Sequence, residues 1–136
     1  MELTHIEHIG IAVKNLDESI KFYEDVLGLK CYRIEEVKDQ KVKTAFFQLG
    51  QTKIELLEST DPGGPIGKFV QKKGGGMHHI AFAVNNINSS LEELRKKNIK
   101  LIDDATRKGA EDLDIAFLHP KSANGVLIEL CENAKK

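Results

Sequence analysis

A chain that repeats itself must fold as two copies of one unit, and this one repeats itself in two places. Residues 8–20, His-Ile-Gly-Ile-Ala-Val-Lys-Asn-Leu-Asp-Glu-Ser-Ile, align without a gap on residues 79–91, His-Ile-Ala-Phe-Ala-Val-Asn-Asn-Ile-Asn-Ser-Ser-Leu. The matches fall at His, Ile, Ala, Val, Asn and Ser. Later in each half, Lys53-Ile-Glu-Leu-Leu57 resembles Leu127-Ile-Glu-Leu-Cys131, slightly further out of step, as a short loop insertion would produce. Each half therefore carries a histidine early and a glutamate late: His8 with Glu55, and His79 with Glu129.

The residues between these landmarks predict an α+β fold of two tandem βαβββ modules. Residues 6–13 alternate large apolar with small or polar side chains, the pattern of a half-buried strand. Asn15 and Asp17 offer N-cap oxygens to a helix whose inward face takes Ile20, Tyr23, Val26 and Leu27, with Gly28 placed for its C-terminal cap. Strands are expected near 31–37, 43–49 and 52–58. A connection with Pro and Gly at its ends follows, with a short helix around 66–72. The second half repeats the order: a strand at 79–84, a helix capped by Asn88 and running through Lys97, and strands near 100–103, 114–119 and 126–131. Module one spans about 4–60, the connection about 61–76 and module two about 77–132. At 136 residues neither half buries enough apolar surface alone, so a single domain over 1–136 with one joint core is expected.

Successive side chains of a strand point to opposite faces, so phase decides which residues can share a site. His8 falls in phase with Gly10 and Ala12, and His79 with Ala81 and Ala83, small neighbours that leave room for a ligand. Glu55 stands opposite Ile54 and Leu56, and Glu129 opposite Ile128 and Leu130, in strands otherwise strongly apolar, where a carboxylate needs a partner. Two imidazoles and two carboxylates suit one divalent ion and leave positions open on a metal of five or six ligands. The set does not choose among Co, Zn, Ni and Mn. His78 lies out of phase and takes a structural role, His5 sits near an exposed terminus, and Gly74 to Gly76 reads as a flexible approach to the second histidine strand.

Charge excludes other classes. Twenty Lys and Arg stand against 21 Asp and Glu with no basic block and no Trp, which gives no footprint for nucleic acid. No apolar run approaches the roughly 20 residues that span a bilayer. Cys31 and Cys131 have no CxxC spacing and the N-terminus lacks a signal-peptide pattern, so a reducing cytoplasm is expected.

Paired βαβββ modules carrying His, Glu, His and Glu resemble the vicinal oxygen chelate superfamily, which includes glyoxalase I, ring-cleaving dioxygenases and fosfomycin-resistance proteins. Within it, residues 8–13, Asp39-Gln40-Lys41-Val42, residues 54–58, Pro65-Ile66 with Lys68-Phe69, His78-His79-Ile80-Ala81, and His119-Pro120-Lys121-Ser122 with residues 125–130 look like the methylmalonyl-CoA epimerases. The resemblance implies sheets paired around a cupped cavity, a homodimer, and one divalent ion held by His8, Glu55, His79 and Glu129, with no organic cofactor. It implies an acyl-CoA thioester substrate whose (R) and (S) forms interconvert by α-proton abstraction through a metal-stabilised enolate. Glu129 is the first choice of base, and Glu55 is placed on the opposed side. Some epimerases have a further glutamate on the strand matching residues 42–47, where this chain has Lys43 and Thr44. The second proton then falls to Glu55, or to a water held by Thr44 or Gln48. Lys121 and Ser122 are candidates for the substrate carboxylate or the coenzyme A phosphates. A glyoxalase I-type lactoylglutathione lyase would share the four ligands but tends toward Asp-Pro-Asp-Gly where this chain has His119-Pro120-Lys121-Ser122. A drug-sequestering protein on the same modules would need no metal.

Overall fold

The structure is a computed structural model that describes residues 1–133. Two compact units divide it: residues 8–78 form one, and residues 1–7 with the chain from His79 onward form the other.

In the unit of residues 8–78, His8–Ala12 is the second part of strand β1 (Leu3–Ala12), followed by helix α1 (Leu16–Lys21). Strands β2 (Cys31–Val37), β3 (Val42–Leu49) and β4 (Thr52–Ser59) come next. The order across the sheet is β2-β3-β4-β1, with antiparallel pairs except for the parallel β1 and β4. Leu16, Ala45, Phe47 and Leu56 form the core on the face covered by α1, joined by Ile11, Ile20, Tyr23 and Ile54. Asn15 caps the helix as its sequence position predicts, its side-chain oxygen accepting the Glu18 N–H at 2.9 Å. The Glu58 carboxylate, from the far end of β4, accepts the N–H of Leu16.

The helix does not continue as its spacing predicts. After Lys21 the backbone widens into a π turn over Phe22–Val26, which rotates the following side chains off the α-helical stripe. Tyr23 still packs on Phe47, ring centres 5.4 Å apart, but Val26 and Leu27 are 67% and 52% exposed rather than inward. Gly28, at φ 74°, ends the turn in the left-handed conformation that glycine adopts without strain.

Helix α2 (Pro65–Lys73) occupies the connection, with Pro65 at its first position and Gly74, at φ 81°, returning its N–H to the Val70 carbonyl at 2.7 Å. Gly75 and Gly76 have φ of 116° and 112°, and a side chain at Gly75 would meet the Ala12 carbonyl oxygen at 3.0 Å. Backbone conformation and close approach, rather than flexibility, account for the glycine triplet.

The other unit begins β5 (Gly76–Val84) at His79 and adds α3 (Ile87–Lys96), β6 (Arg107–Lys108), β7 (Asp114–Leu118) and β8 (Ile128–Glu132) in the order β5-β8-β7-β6. Within it the Thr4 hydroxyl donates to the Ala83 carbonyl oxygen at 3.3 Å. Val84, Ile87, Leu91, Leu94, Ala116, Leu118 and Leu130 pack between α3 and the sheet. Asn86, not Asn88, caps α3: its backbone is extended (φ −143°) and its side chain accepts the Ser89 N–H, whereas Asn88 lies inside the first turn. Glu132 accepts the Ile87 N–H at 2.7 Å, repeating the Glu58 bond of the first unit.

The strand expected at 100–103 reduces to a single bridge between Leu101 and Leu118. The Asp103 carboxylate takes the Phe117 N–H at 2.8 Å, so a side chain stands where a strand backbone would pair. The edge strand forms instead at Arg107 and Lys108, opposite Ile115 and Asp114. Removing either strand-to-helix carboxylate, by Glu58→Ala or Glu132→Ala, is expected to lower unfolding free energy by about 1–2 kcal/mol, read from the urea midpoint.

Candidate functional site

In the unit of residues 8–78 the register brings one set of side chains to the sheet face away from α1. His8 lies beside Lys53 and Gly10 beside Glu55 across β1 and β4. Phe46 pairs with Glu55, Thr44 with Leu57 and Gln48 with Lys53 across β3 and β4, while Glu35 pairs with Thr44 across β2 and β3. Adjacent partners share a face, so His8, Lys53, Glu55, Thr44 and Glu35 line one side while Ile54 and Leu56 go to the core. His8 Nδ1 stands 3.2 Å from Glu55 Oε2, and both residues are buried.

The other unit repeats the arrangement. Glu129 pairs with Ala81 and with Phe117, and Cys131 with Ile115, on the face opposite α3. His79 Nε2 lies 3.2 Å from Glu129 Oε1, again with both residues buried. The Phe117 ring meets the His79 ring edge-on, centres 5.7 Å apart, and the Cys131 thiol donates to Glu129 Oε2 at 3.5 Å. Two neighbours therefore hold this pair in orientation.

The donor chemistry of each pair fits a divalent cation. Imidazole nitrogen and carboxylate oxygen are both acceptable ligands, and two ligand atoms each about 2.1 Å from an ion at a right angle lie about 3.0 Å apart. The 3.2 Å separations are close to that spacing. Residues His8 with Glu55, and His79 with Glu129, are the groups that could hold a metal.

The remaining candidates fall in different settings. Thr44 is buried on the His8 face. Gln48 is exposed at the end of β3, its amide donating to the Gly50 carbonyl at 2.7 Å. Lys121 and Ser122 lie in the turn between β7 and β8. The Lys121 side chain is exposed, while the Ser122 hydroxyl accepts the Lys100 N–H at 2.9 Å. His78 stacks edge-on against Phe69, ring centres 4.9 Å apart. Sequence reasoning passed over Lys53 and Cys131, although each lies two residues from a glutamate in the same strand and hence on the same face.

Residues 7–117 match the model of the glyoxalase/bleomycin resistance protein/dioxygenase superfamily. The mitochondrial methylmalonyl-CoA epimerase of Mus musculus is 39% identical over 130 residues, covering 95% of this chain and 73% of that one. The crystal structure of methylmalonyl-CoA epimerase from Mycobacterium tuberculosis superposes with a TM-score of 0.93 at 35% identity, over 97% of this chain and 89% of that one. A variant of the Streptomyces coelicolor methylmalonyl-CoA epimerase, in complex with 2-nitronate-propionyl-CoA, gives a TM-score of 0.94 at 35% identity, over 98% and 96%.

Ser122→Ala removes an acceptor from the Lys100 N–H and is expected to lower stability by about 1 kcal/mol in urea unfolding. Lys121→Ala, at an exposed side chain, is expected to stay within about 0.5 kcal/mol of the native value.

Proposed function

The chain belongs to the glyoxalase/bleomycin resistance protein/dioxygenase superfamily and, within it, to the methylmalonyl-CoA epimerases, and on that footing we propose that it interconverts (R)- and (S)-methylmalonyl-CoA. One observation supports the reading above the rest: two buried His–Glu pairs of equal spacing, at equivalent positions of a duplicated unit. We read the pairs as the two halves of one centre, in which His8, Glu55, His79 and Glu129 hold a single cobalt, zinc, nickel or manganese ion. Since neither half has the full ligand set, the two modules then act as one domain over 1–136. The ion, when bound, supplies Lewis-acid stabilisation of negative charge on the substrate's oxygens. No organic cofactor enters.

The α-carbon of the substrate stands between a thioester and a carboxylate, and its proton must leave on one face and return on the other. Glu129 is the base. Its carboxylate is buried and steadied by the Cys131 thiol and the His79 ring, which leaves little rotational freedom to lose on reaching the transition state. Glu55, its counterpart in the repeat, delivers a proton drawn from solvent to the opposed face, while Glu129 passes the proton it removed to solvent. Thr44 shares the Glu55 face and can hold a water there, and Gln48 at the strand end is a further polar contact. The exposed ammonium of Lys121, with Ser122 beside it in the β7–β8 turn, suits the phosphates of coenzyme A.

No described helix is long and apolar enough to cross a membrane. The enzyme of this proposal is a cytoplasmic homodimer.

Assays in deuterated water test the chemistry directly. Glu129→Gln and Glu55→Gln are each expected to slow deuterium incorporation at the α-carbon by at least about 100-fold. Full incorporation in either variant removes that residue from proton transfer. Turnover of the methylglyoxal–glutathione adduct with none of methylmalonyl-CoA would overturn the epimerase reading.

A further inference from the structure

Between residues 53–58 and 127–132 the two ligand-bearing strands differ at two places, Leu57 against Cys131 and one position that carries charge. Ile54, Glu55, Leu56 and Glu58 of β4 correspond to Ile128, Glu129, Leu130 and Glu132 at the end of the chain, but Lys53 corresponds to Leu127. Leu127 packs with the apolar cluster of Ala81, Ile115 and Phe117. Lys53 instead puts a cation on the ligand-bearing face. It pairs in register with His8, sits two residues from Glu55 on the same side of the strand, and is only 7% exposed. Its ammonium lies 5.9 Å from the centre of the Phe46 ring, and Phe46 itself pairs with Glu55.

Lysine is among the residues least often buried, because removing an ammonium from water is unfavourable unless an anion or polar groups face it. A cation at this place has a chemical use. With neutral imidazoles, two glutamates and a divalent ion the proposed centre has no net charge, so it offers no excess attraction to a substrate that brings a carboxylate of its own. A symmetric pair of half-sites also cannot tell the carboxylate end of a malonyl thioester from its thioester end. The other unit also carries a cation on this face, Arg107 over the Phe117 ring at 5.7 Å, but it is half-buried and paired with Asp103, so the buried ammonium of Lys53 in one half answers both requirements.

We infer that Lys53 recognises the free carboxylate of a 2-carboxyacyl thioester and so sets which way the substrate lies in the site. The inference rests on the epimerase reading. Lys53 moves no proton; it is a specificity determinant, and thioesters lacking the second carboxylate bind without its help.

Titration calorimetry of the protein as purified with its metal, using methylmalonyl-CoA and propionyl-CoA, tests this. The wild type is expected to bind the carboxylated thioester at least about tenfold more tightly, as a charge-assisted contact implies. In Lys53→Met and in Lys53→Gln the difference is expected to shrink to within about threefold, through weaker binding of methylmalonyl-CoA alone. Circular dichroism identifies a folded variant, and either one suffices. A folded variant that keeps the wild-type ratio would overturn the inference, as would one that weakens both ligands equally. A wild type that binds both thioesters without preference would also overturn it, and a wild type that binds neither would sink the epimerase reading beneath it.

Discussion

The bond from a strand-end carboxylate to a helix N-terminus holds the arrangement together. Glu58 accepts from the first residue of α1, and Glu132 from the first residue of α3. Unpaired N–H groups and the positive end of the helix dipole make this a favourable place for negative charge. Glu58 and Glu132 each stand three residues after a glutamate of the proposed site, Glu55 or Glu129, and so point to the opposite face of the same strand. Docking the helix on one side thereby fixes the phase that delivers Glu55 or Glu129 to the other. A slip of one residue would exchange the two faces, burying Glu55 under the helix and turning Ile54 and Leu56 outward.

Much of this was legible in the sequence because duplication repeats a pattern at a known offset. The histidines and glutamates announce themselves by recurring in phase, and the strands that bear them are strongly alternating. What escaped was set by longer-range contacts. Nothing local marks Glu58 and Glu132 as caps for helices far from them in sequence. The π turn after Lys21 breaks the helical stripe at residues whose spacing reads as continuous, and Asp103 replaces strand pairing with a side-chain bond. Asn86 and Asn88 are equally good caps by composition, and only the burial of Ile87 and the extended backbone of Asn86 decide between them.

The repeat is also informative where it fails. Lys53 and Leu127 occupy matching positions, yet one is a buried cation and the other joins an apolar cluster. On the proposed reading, duplication supplies two equivalent His–Glu pairs for one ion and one carboxylate for each face of the α-carbon. Distinguishing the two ends of an asymmetric substrate requires the copies to diverge, and at position 53 the divergence puts a buried charge beside the proposed ligands.

The central claim is that the His8–Glu55 and His79–Glu129 pairs serve one ion together. Equilibrium dialysis against Co²⁺ with metal analysis, on the wild type and on His8→Ala and His79→Ala, tests it most directly. The account predicts about one ion per chain in the wild type and loss of nearly all of it in each variant, since either substitution breaks the shared set. Two ions per wild-type chain, with about half of the binding surviving each substitution, would contradict it by showing that each pair binds alone.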